Sequence, residues 1–245
     1  MSSTPWFIAP EDAWTDGEIT LPPDESHHAV KVLRVAPPDV IAITDGRGRI
    51  ARCAVARVDP DKVVAEILEI EERRPLTPQI VVYQGAAKGQ KIDGVVEKLA
   101  ELGVAETWVY ESSRSVVRWD QGKVAKLTDR WRSIARSAAK QSRSPFLLTA
   151  GGGLSWTELL RRVAAEPNAV VLWEEASLPL RTALVGRTER VALVVGPEGG
   201  LDRSEAESLA DAGAQLVSLG PQILRTENAA VVTTAALLFH YGLIG

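Results

Sequence analysis

Val191-Ala-Leu-Val-Val-Gly-Pro-Glu-Gly-Gly-Leu-Asp202 decides how this chain reads. Val191–Val195 is an unbroken apolar run of strand length, rich in valine and without a polar face. Such a run suits a parallel strand buried on both sides. Gly196-Pro197-Glu198-Gly199-Gly200 breaks it, and Asp202-Arg-Ser-Glu205 has the spacing of a capping box, with Asp in the capping place. Strand, glycine-rich loop and helix therefore follow one another directly, and the loop falls at the carboxyl end of a buried strand. Open α/β sheets put their ligands there. The glycines allow close backbone approach to a bound molecule, and Pro197 stiffens the turn.

A second such loop, Leu219-Gly-Pro-Gln-Ile-Leu-Arg-Thr-Glu227, follows the next apolar run, Gln215–Ser218. Two Gly-Pro loops at successive strand ends are placed to wall one pocket. Working backward, Ile80–Tyr83, Glu106–Tyr110 and Ala169–Trp173 are further strands. Helical patterns lie between them at Gln90–Leu102, Lys123–Gln141, Trp156–Ala165 and Arg203–Ala212. Strand–helix alternation predicts a largely parallel sheet with helices on both faces. The last helix, Glu227–Tyr241, is apolar on nearly every side, which suits a core or a subunit contact.

The first seventy or so residues follow a different rule. Val40–Thr44, Ile50–Val58 and Lys62–Ile70 read as strands separated by Asp-Gly and Asp-Pro turns, with Asp45–Gly48 closing a hairpin. A short helix from Asp24 to Val35, capped by Asp24, precedes them. Glu71–Pro78 is charged and proline-rich and reads as a linker, placing one domain at 1–74 and the other at 75–245.

Composition removes several classes. With 245 residues, 45% hydrophobic and 24% charged, the chain can bury a real core and is not disordered. One cysteine, Cys53, excludes an internal disulfide, and three histidines offer little to a metal. No apolar run reaches bilayer length and the N-terminus lacks a signal-peptide pattern, so a cytoplasmic protein without a membrane partner is expected.

The net charge of −4 conceals a segregation. Arg114 to Arg143 holds nine Lys or Arg against two Asp, whereas no basic residue precedes Glu25. A basic stretch on an acidic chain suits a polyanion, although a solvated helix face would look the same. Gly46-Arg-Gly48-Arg-Ile-Ala51 fits the dinucleotide fingerprint only as a string, because a strand rather than a helix follows. Gly151-Gly-Gly153 lacks the Lys-Ser/Thr of a phosphate loop and reads as a linker. Arg225 and Glu227 sit at the mouth of the last helix, where they either pair with each other or face a ligand.

Val195–Leu201 together with Leu219–Glu227 resembles the signature of the SPOUT-superfamily methyltransferases that modify uridine N3 in 16S ribosomal RNA, the small subunit methyltransferase E type. The resemblance runs end to end. It includes His28-x-x-x-Val-Leu-Arg34, Thr44-Asp-Gly46, Lys88-Gly-Gln-Lys-Ile-Asp93, Lys98–Val104, Glu111–Ser115 and Ala138–Ser142. Ser142-Arg-Ser-Pro145 is shorter than usual for that family and carries one basic residue, Arg143.

The resemblance implies an α/β protein with a small PUA-like RNA-binding β-barrel at 1–74 and a SPOUT domain with a deep trefoil knot at 75–245. Strand–helix order alone would give an unknotted sheet. It also implies a homodimer acting on 16S rRNA, and not DNA, with S-adenosyl-L-methionine as cofactor and no metal. The cofactor would be held by Leu172, Gly196, Glu198, Gly199, Gly200, Leu219, Gly220, Ile223 and Leu224. Arg225 would stabilise charge on the uracil carbonyls, and Glu227 or Glu198 would take the N3 proton. His28, Arg34, Lys88, Lys91, Arg114, Arg136 and Arg143 would hold phosphates. A non-catalytic RNA-binding assembly protein would need the basic stretch but not the two loops. A methyltransferase with another acceptor would need the loops but not the basic stretch.

Overall fold

The computed structural model describes residues 4–59, 61–184, 186 and 188–245. It divides into two compact units, one of Met1–Pro75 with Ala139–Leu147 and one of Leu76–Ala138 with Leu148–Gly245.

In the first unit five strands, β1 (Trp6–Ile8), β2 (Glu18–Thr20), β3 (Val40–Thr44), β4 (Arg49–Asp59) and β5 (Lys62–Glu72), form one sheet in the order β1-β3-β4-β5-β2. The hairpin of β3 and β4 turns at Asp45–Gly48, where Gly46 and Gly48 adopt φ of 77° and 118°. Alternation along β3–β5 sends Ile41, Ile43, Ala51, Cys53, Val63 and Ala65 into one core. Burial there pushes the Cys53 thiol up to about 12, so it serves as packing. Trp6–Ile8 and Glu18–Thr20 are too short to show a period, and the sequence reading missed both strands. Glu71 and Glu72 were read as linker, but they pair with Ile50 and Arg49 and lengthen β5.

The predicted early helix is two pieces, α1 (Pro23–His27) and a π-helical turn, His28–Leu33. Asp24 lies in its first turn, and the capping place belongs to Pro22. Residues 139–147, assigned from sequence to the second domain, pack with the first unit. Lys140 bonds the buried Glu25 at 3.2 Å, and the Gly46 carbonyl and Gly48 amide bond Leu147 and Pro145. These pairings span about a hundred residues, so no local pattern reveals them.

The second unit holds a six-stranded sheet. Its strands are β6 (Gln79–Gly85), β7 (Glu106–Tyr110), β8 (Thr149–Leu154), β9 (Ala169–Leu172), β10 (Arg190–Val195) and β11 (Gln215–Val217). All neighbours run parallel, in the order β11-β9-β10-β6-β7-β8. Seven-residue β6 alternates Ile80 and Val82 to one face with Val81 and Tyr83 to the other, and both faces are buried. Helices α2 (Lys91–Glu101), α3 (Gln121–Ser142), α5 (Leu180–Ala183) and α7 (Thr226–His240) contribute to the first core. Helices α4 (Trp156–Ala164) and α6 (Arg203–Asp211) contribute to the second. Ser155 caps α4 by accepting from the Glu158 amide, and Asp202 with Glu205 forms a complete capping box on α6.

Strand β8 stands where the glycines predict a linker. Its glycines are instead where two tryptophans lie against the sheet. A Cβ on Gly151 would come within 2.3 Å of the Trp108 ring, and one on Gly152 within 2.7 Å of Trp131. Indole packing, rather than looseness, requires Gly-Gly here.

Candidate active site

Three loops at the carboxyl ends of β9, β10 and β11 enclose a cleft of about 760 Å³ with the first turn of α7. Every residue proposed to hold cofactor lines it: Leu172, Gly196, Glu198, Gly199, Gly200, Leu219, Gly220, Ile223 and Leu224. Arg225 and Glu227 line it too, as does Lys91, which the sequence reading assigned to RNA phosphates. Trp173, Glu174 and Thr226 complete parts of the wall that the sequence reading did not name.

Short-range bonds fix the loops. The Thr226 hydroxyl donates to the Gly196 carbonyl at 2.6 Å and accepts from buried Gln84 at 2.7 Å. The Tyr110 hydroxyl donates to the Val195 carbonyl at 3.0 Å. The Ser113 amide donates to the Glu205 carboxylate of the α6 capping box at 2.7 Å, tying the loop after β7 to the same region. Gly85 lies under the first loop, where a Cβ would come within 2.3 Å of the Pro197 nitrogen. A buried Gln followed by Gly at the end of an apolar strand is the signal that could have marked Gln84 and Gly85.

Gly199 and Gly200 have specific reasons to be glycine. Gly200 adopts φ 70°, and a Cβ on Gly199 would come within 2.9 Å of the Arg114 carbonyl oxygen. The smallness of Gly199 thus serves the packing of one loop on another, where the sequence suggested room for a ligand.

The charged groups sort unequally. Glu198 accepts from the Lys91 ammonium and from the Lys88 amide at 3.4 Å, which holds its carboxyl below the usual range. Glu227 faces Lys91 at 3.8 Å, beyond hydrogen-bond reach, and its Oε2 is buried without a hydrogen-bond partner among the described residues. Arg225 occupies the N-cap place of α7 and is exposed. Its guanidinium makes no hydrogen bond or ion pair with a described residue, so the Arg225–Glu227 pair is not formed.

The basic residues do not gather in one place. Lys88 and Lys91 meet Glu198, and Arg114 reaches the Gly199 carbonyl at 3.5 Å, so these three surround the first loop. Arg136 lies on α3 within the second unit, and part of the α3 charge is spent on pairs such as Arg130–Asp93 at 2.8 Å. His28, Arg34 and Arg143 belong to the first unit. His28 stands 6.4 Å from the Phe7 ring. Arg34 and Arg143 hold the left-handed backbone, with φ of 55° and 56°, at helix ends where glycine is the cheaper residue. Neither guanidinium has a partner among the described residues. Arg34→Gly and Arg143→Gly are expected to keep or raise stability, by up to about 1 kcal/mol, while weakening RNA binding. Thermal melts beside filter binding check this, and loss of stability without loss of binding would make the arginines structural.

Comparison with known proteins shows the family. The family model described as RNA methyltransferase domain matches residues 73–238, and that of the RNA methyltransferase PUA domain matches 21–68. The chain is 36% identical over 218 residues to the ribosomal RNA small subunit methyltransferase E of Mycobacterium bovis, covering 87% of this chain and 83% of that protein. It is 32% identical over 229 residues to the Bacillus subtilis protein of the same name, covering 90% of each. Among solved structures, a Legionella pneumophila methyltransferase in complex with the cofactor SAM superposes with a TM-score of 0.88 at 27% identity, over 98% of each chain. The Neisseria gonorrhoeae ribosomal RNA small subunit methyltransferase E, bound to S-adenosyl methionine, gives 0.85 at 27% identity, also over 98% of each chain. The matches to the RNA methyltransferase domain and to its PUA domain define an RNA methyltransferase. Within that class, the chain belongs to the ribosomal RNA small subunit methyltransferase E family.

Proposed function

We propose that this chain transfers a methyl group from S-adenosyl-L-methionine to N3 of a uridine in 16S ribosomal RNA. The observation that carries the reading is the cleft that gathers both Gly-Pro loops, Arg225 and the carboxylates of Glu174, Glu198 and Glu227. The residues fit the cofactor. Leu172, Leu219 and Leu224 offer apolar walls for an adenine, the loop backbones offer amides and carbonyls, and the volume lies within the range of small-molecule sites. Ile223, 88% exposed at the rim, is placed to cover a bound molecule.

When bound, the cofactor supplies an activated methyl on a sulfonium. The protein must then free and orient the uracil edge, hold the carbonyls as N3 loses its proton, and accept that proton. Arg225 serves the carbonyls, being exposed, lining the cleft and unspent on any partner among the described residues. Lys88, Lys91 and Arg114 edge the same loop, and Lys88 and Arg114 remain exposed to receive phosphates.

Finer features follow the same reading. The first unit, Met1–Pro75 with Ala139–Leu147, acts as the PUA-like RNA-binding domain, and the second, Leu76–Ala138 with Leu148–Gly245, as the catalytic domain. Closure of the first sheet toward a barrel is supported by Trp14, which bonds the Ala9 carbonyl beyond β1 and bridges Ile19 of β2. A SPOUT trefoil knot is supported by the path of the C-terminus. Strand β11 is at the sheet edge, yet the Thr226 end of α7 bonds Gly196, after central β10, and the helix packs on α2. Exposed Val232 and Phe239 on α7 support a homodimer that covers them. A cytoplasmic location suits a ribosomal RNA substrate. Among the described residues no helix is long and apolar enough to cross a membrane.

Incubation with methyl-labelled cofactor and purified ribosomal subunits tests the assignment. Label is expected in small-subunit RNA and not in large-subunit RNA, and the reverse distribution would overturn it.

A further inference from the structure

The sequence leaves two carboxylates, Glu198 and Glu227, as alternative acceptors for the uracil proton. The structure separates them. Glu198 has both oxygens engaged, Oε1 by the Lys91 ammonium and Oε2 by the Lys88 amide. Accepting a proton there would break a charge-assisted bond and release the loop from the start of α2. Glu227 opens α7 only thirty residues further on, lines the same cleft, and receives no hydrogen bond from a described residue on either oxygen. A carboxylate oxygen shielded from water and given no donor is costly to keep unless something uses it. Lys91 touches both groups, bonding one and standing 3.8 Å from the other.

Resting on the uracil-N3 reading, we infer that Lys91 is a positioning residue that fixes Glu198 as a loop anchor and sets Glu227 as the general base. The N3–H bond breaks, its proton passes to a Glu227 oxygen and its electron pair stays on N3. That pair forms the new bond to the methyl carbon, and the pair of the broken methyl–sulfur bond remains on sulfur. Glu227 afterwards returns the proton to water. Lys91 from α2 stands 3.8 Å from Glu227, and the other charged residues lining the cleft are Glu174 from the loop after β9, Glu198 from the loop after β10 and Arg225 from the segment of Glu227 itself. The pull of Lys91 on Glu198 shows as a raised lysine and a lowered carboxyl.

The test compares the parent with E227Q, E198Q, K91M and K91R on small-subunit RNA carrying uridine or 5-fluorouridine at the target. The fluorinated base has a more acidic N3 and depends less on a base. Calorimetry with S-adenosylmethionine gives cofactor affinity for each variant, and melts show whether it is folded. E227Q is expected to bind cofactor within about threefold of the parent and to lose on the order of a hundredfold in turnover on uridine. It should regain about tenfold or more of that loss on 5-fluorouridine. E198Q is expected to lose cofactor affinity instead, with no fluorouridine rescue. K91M should lose both affinity and turnover, and K91R should recover most of each. Rescue of E198Q rather than E227Q, or parental turnover by E227Q on uridine, overturns the inference. If the parent itself makes no 3-methyluridine, the proposed function fails and not merely this division of roles.

Discussion

Replacing Arg225 with alanine is expected to cut methyl transfer on the order of a hundredfold or more while cofactor affinity changes only a few fold. The residue is exposed at the N-cap place of α7 and lines the cleft, so the fold fixes its backbone while no described residue engages the guanidinium. Such a group, charged at any working pH, can donate to a carbonyl oxygen that gains charge as N3 loses its proton. Arg225→Lys keeps the charge without the planar fork and should fall between parent and alanine. Glu227 faces Lys91 instead of Arg225, so the substitution strands no buried charge and the melting temperature should hardly move. Single-turnover assays with melts and calorimetry measure all three quantities. Joint loss of stability and cofactor binding, with normal turnover of what remains folded, would make Arg225 structural.

Gly85→Ala is the second large effect. The added carbon would stand 2.3 Å from the Pro197 nitrogen and 2.6 Å from the Gly196 carbonyl carbon, which are backbone atoms and cannot swing aside. The loop must move away from the strand and from its bond to Thr226. Cofactor affinity is expected to fall by about tenfold or more and stability by about 1–3 kcal/mol, as for overpacking elsewhere. Gly94→Ala is the control. Its added carbon meets nothing within 4 Å, and inside α2 it should stabilise by about 0.5–1 kcal/mol. Calorimetric titration of both variants decides the matter, and parental affinity in Gly85→Ala would contradict the packing argument.

Much of this architecture is legible in the chain, for identifiable reasons. Val191–Val195 and Ile80–Tyr83 are buried on both faces, so unbroken apolar runs mark them as central strands. Asp202 and Glu205 announce the start of α6 because a capping box is local. The cleft walls at Gly196–Gly200 and Leu219–Leu224 could be named because Gly-Pro loops directly follow the apolar runs Val191–Val195 and Gln215–Ser218. Other features are set by partners far away in sequence. The β8 glycines make sense only once Trp108 and Trp131 lie against them. Residues 139–147 join the first unit through bonds to Glu25, Gly46 and Gly48. Lys91 looks like one more basic residue until the fold brings Glu198 and Glu227 to it. The same pairing is the ground on which we propose different roles for the two carboxylates, which spacing alone leaves equal.

The central claim is the identity of the methylated atom, and nucleoside mass spectrometry tests it most directly. Small-subunit RNA from cells lacking the enzyme would be incubated with the protein and isotopically labelled S-adenosylmethionine, digested and separated against synthetic standards. The account predicts that label enters 3-methyluridine alone, and that Arg225→Ala nearly abolishes it. Label in a ribose-methylated nucleoside, in another base, or in no nucleoside would contradict the account.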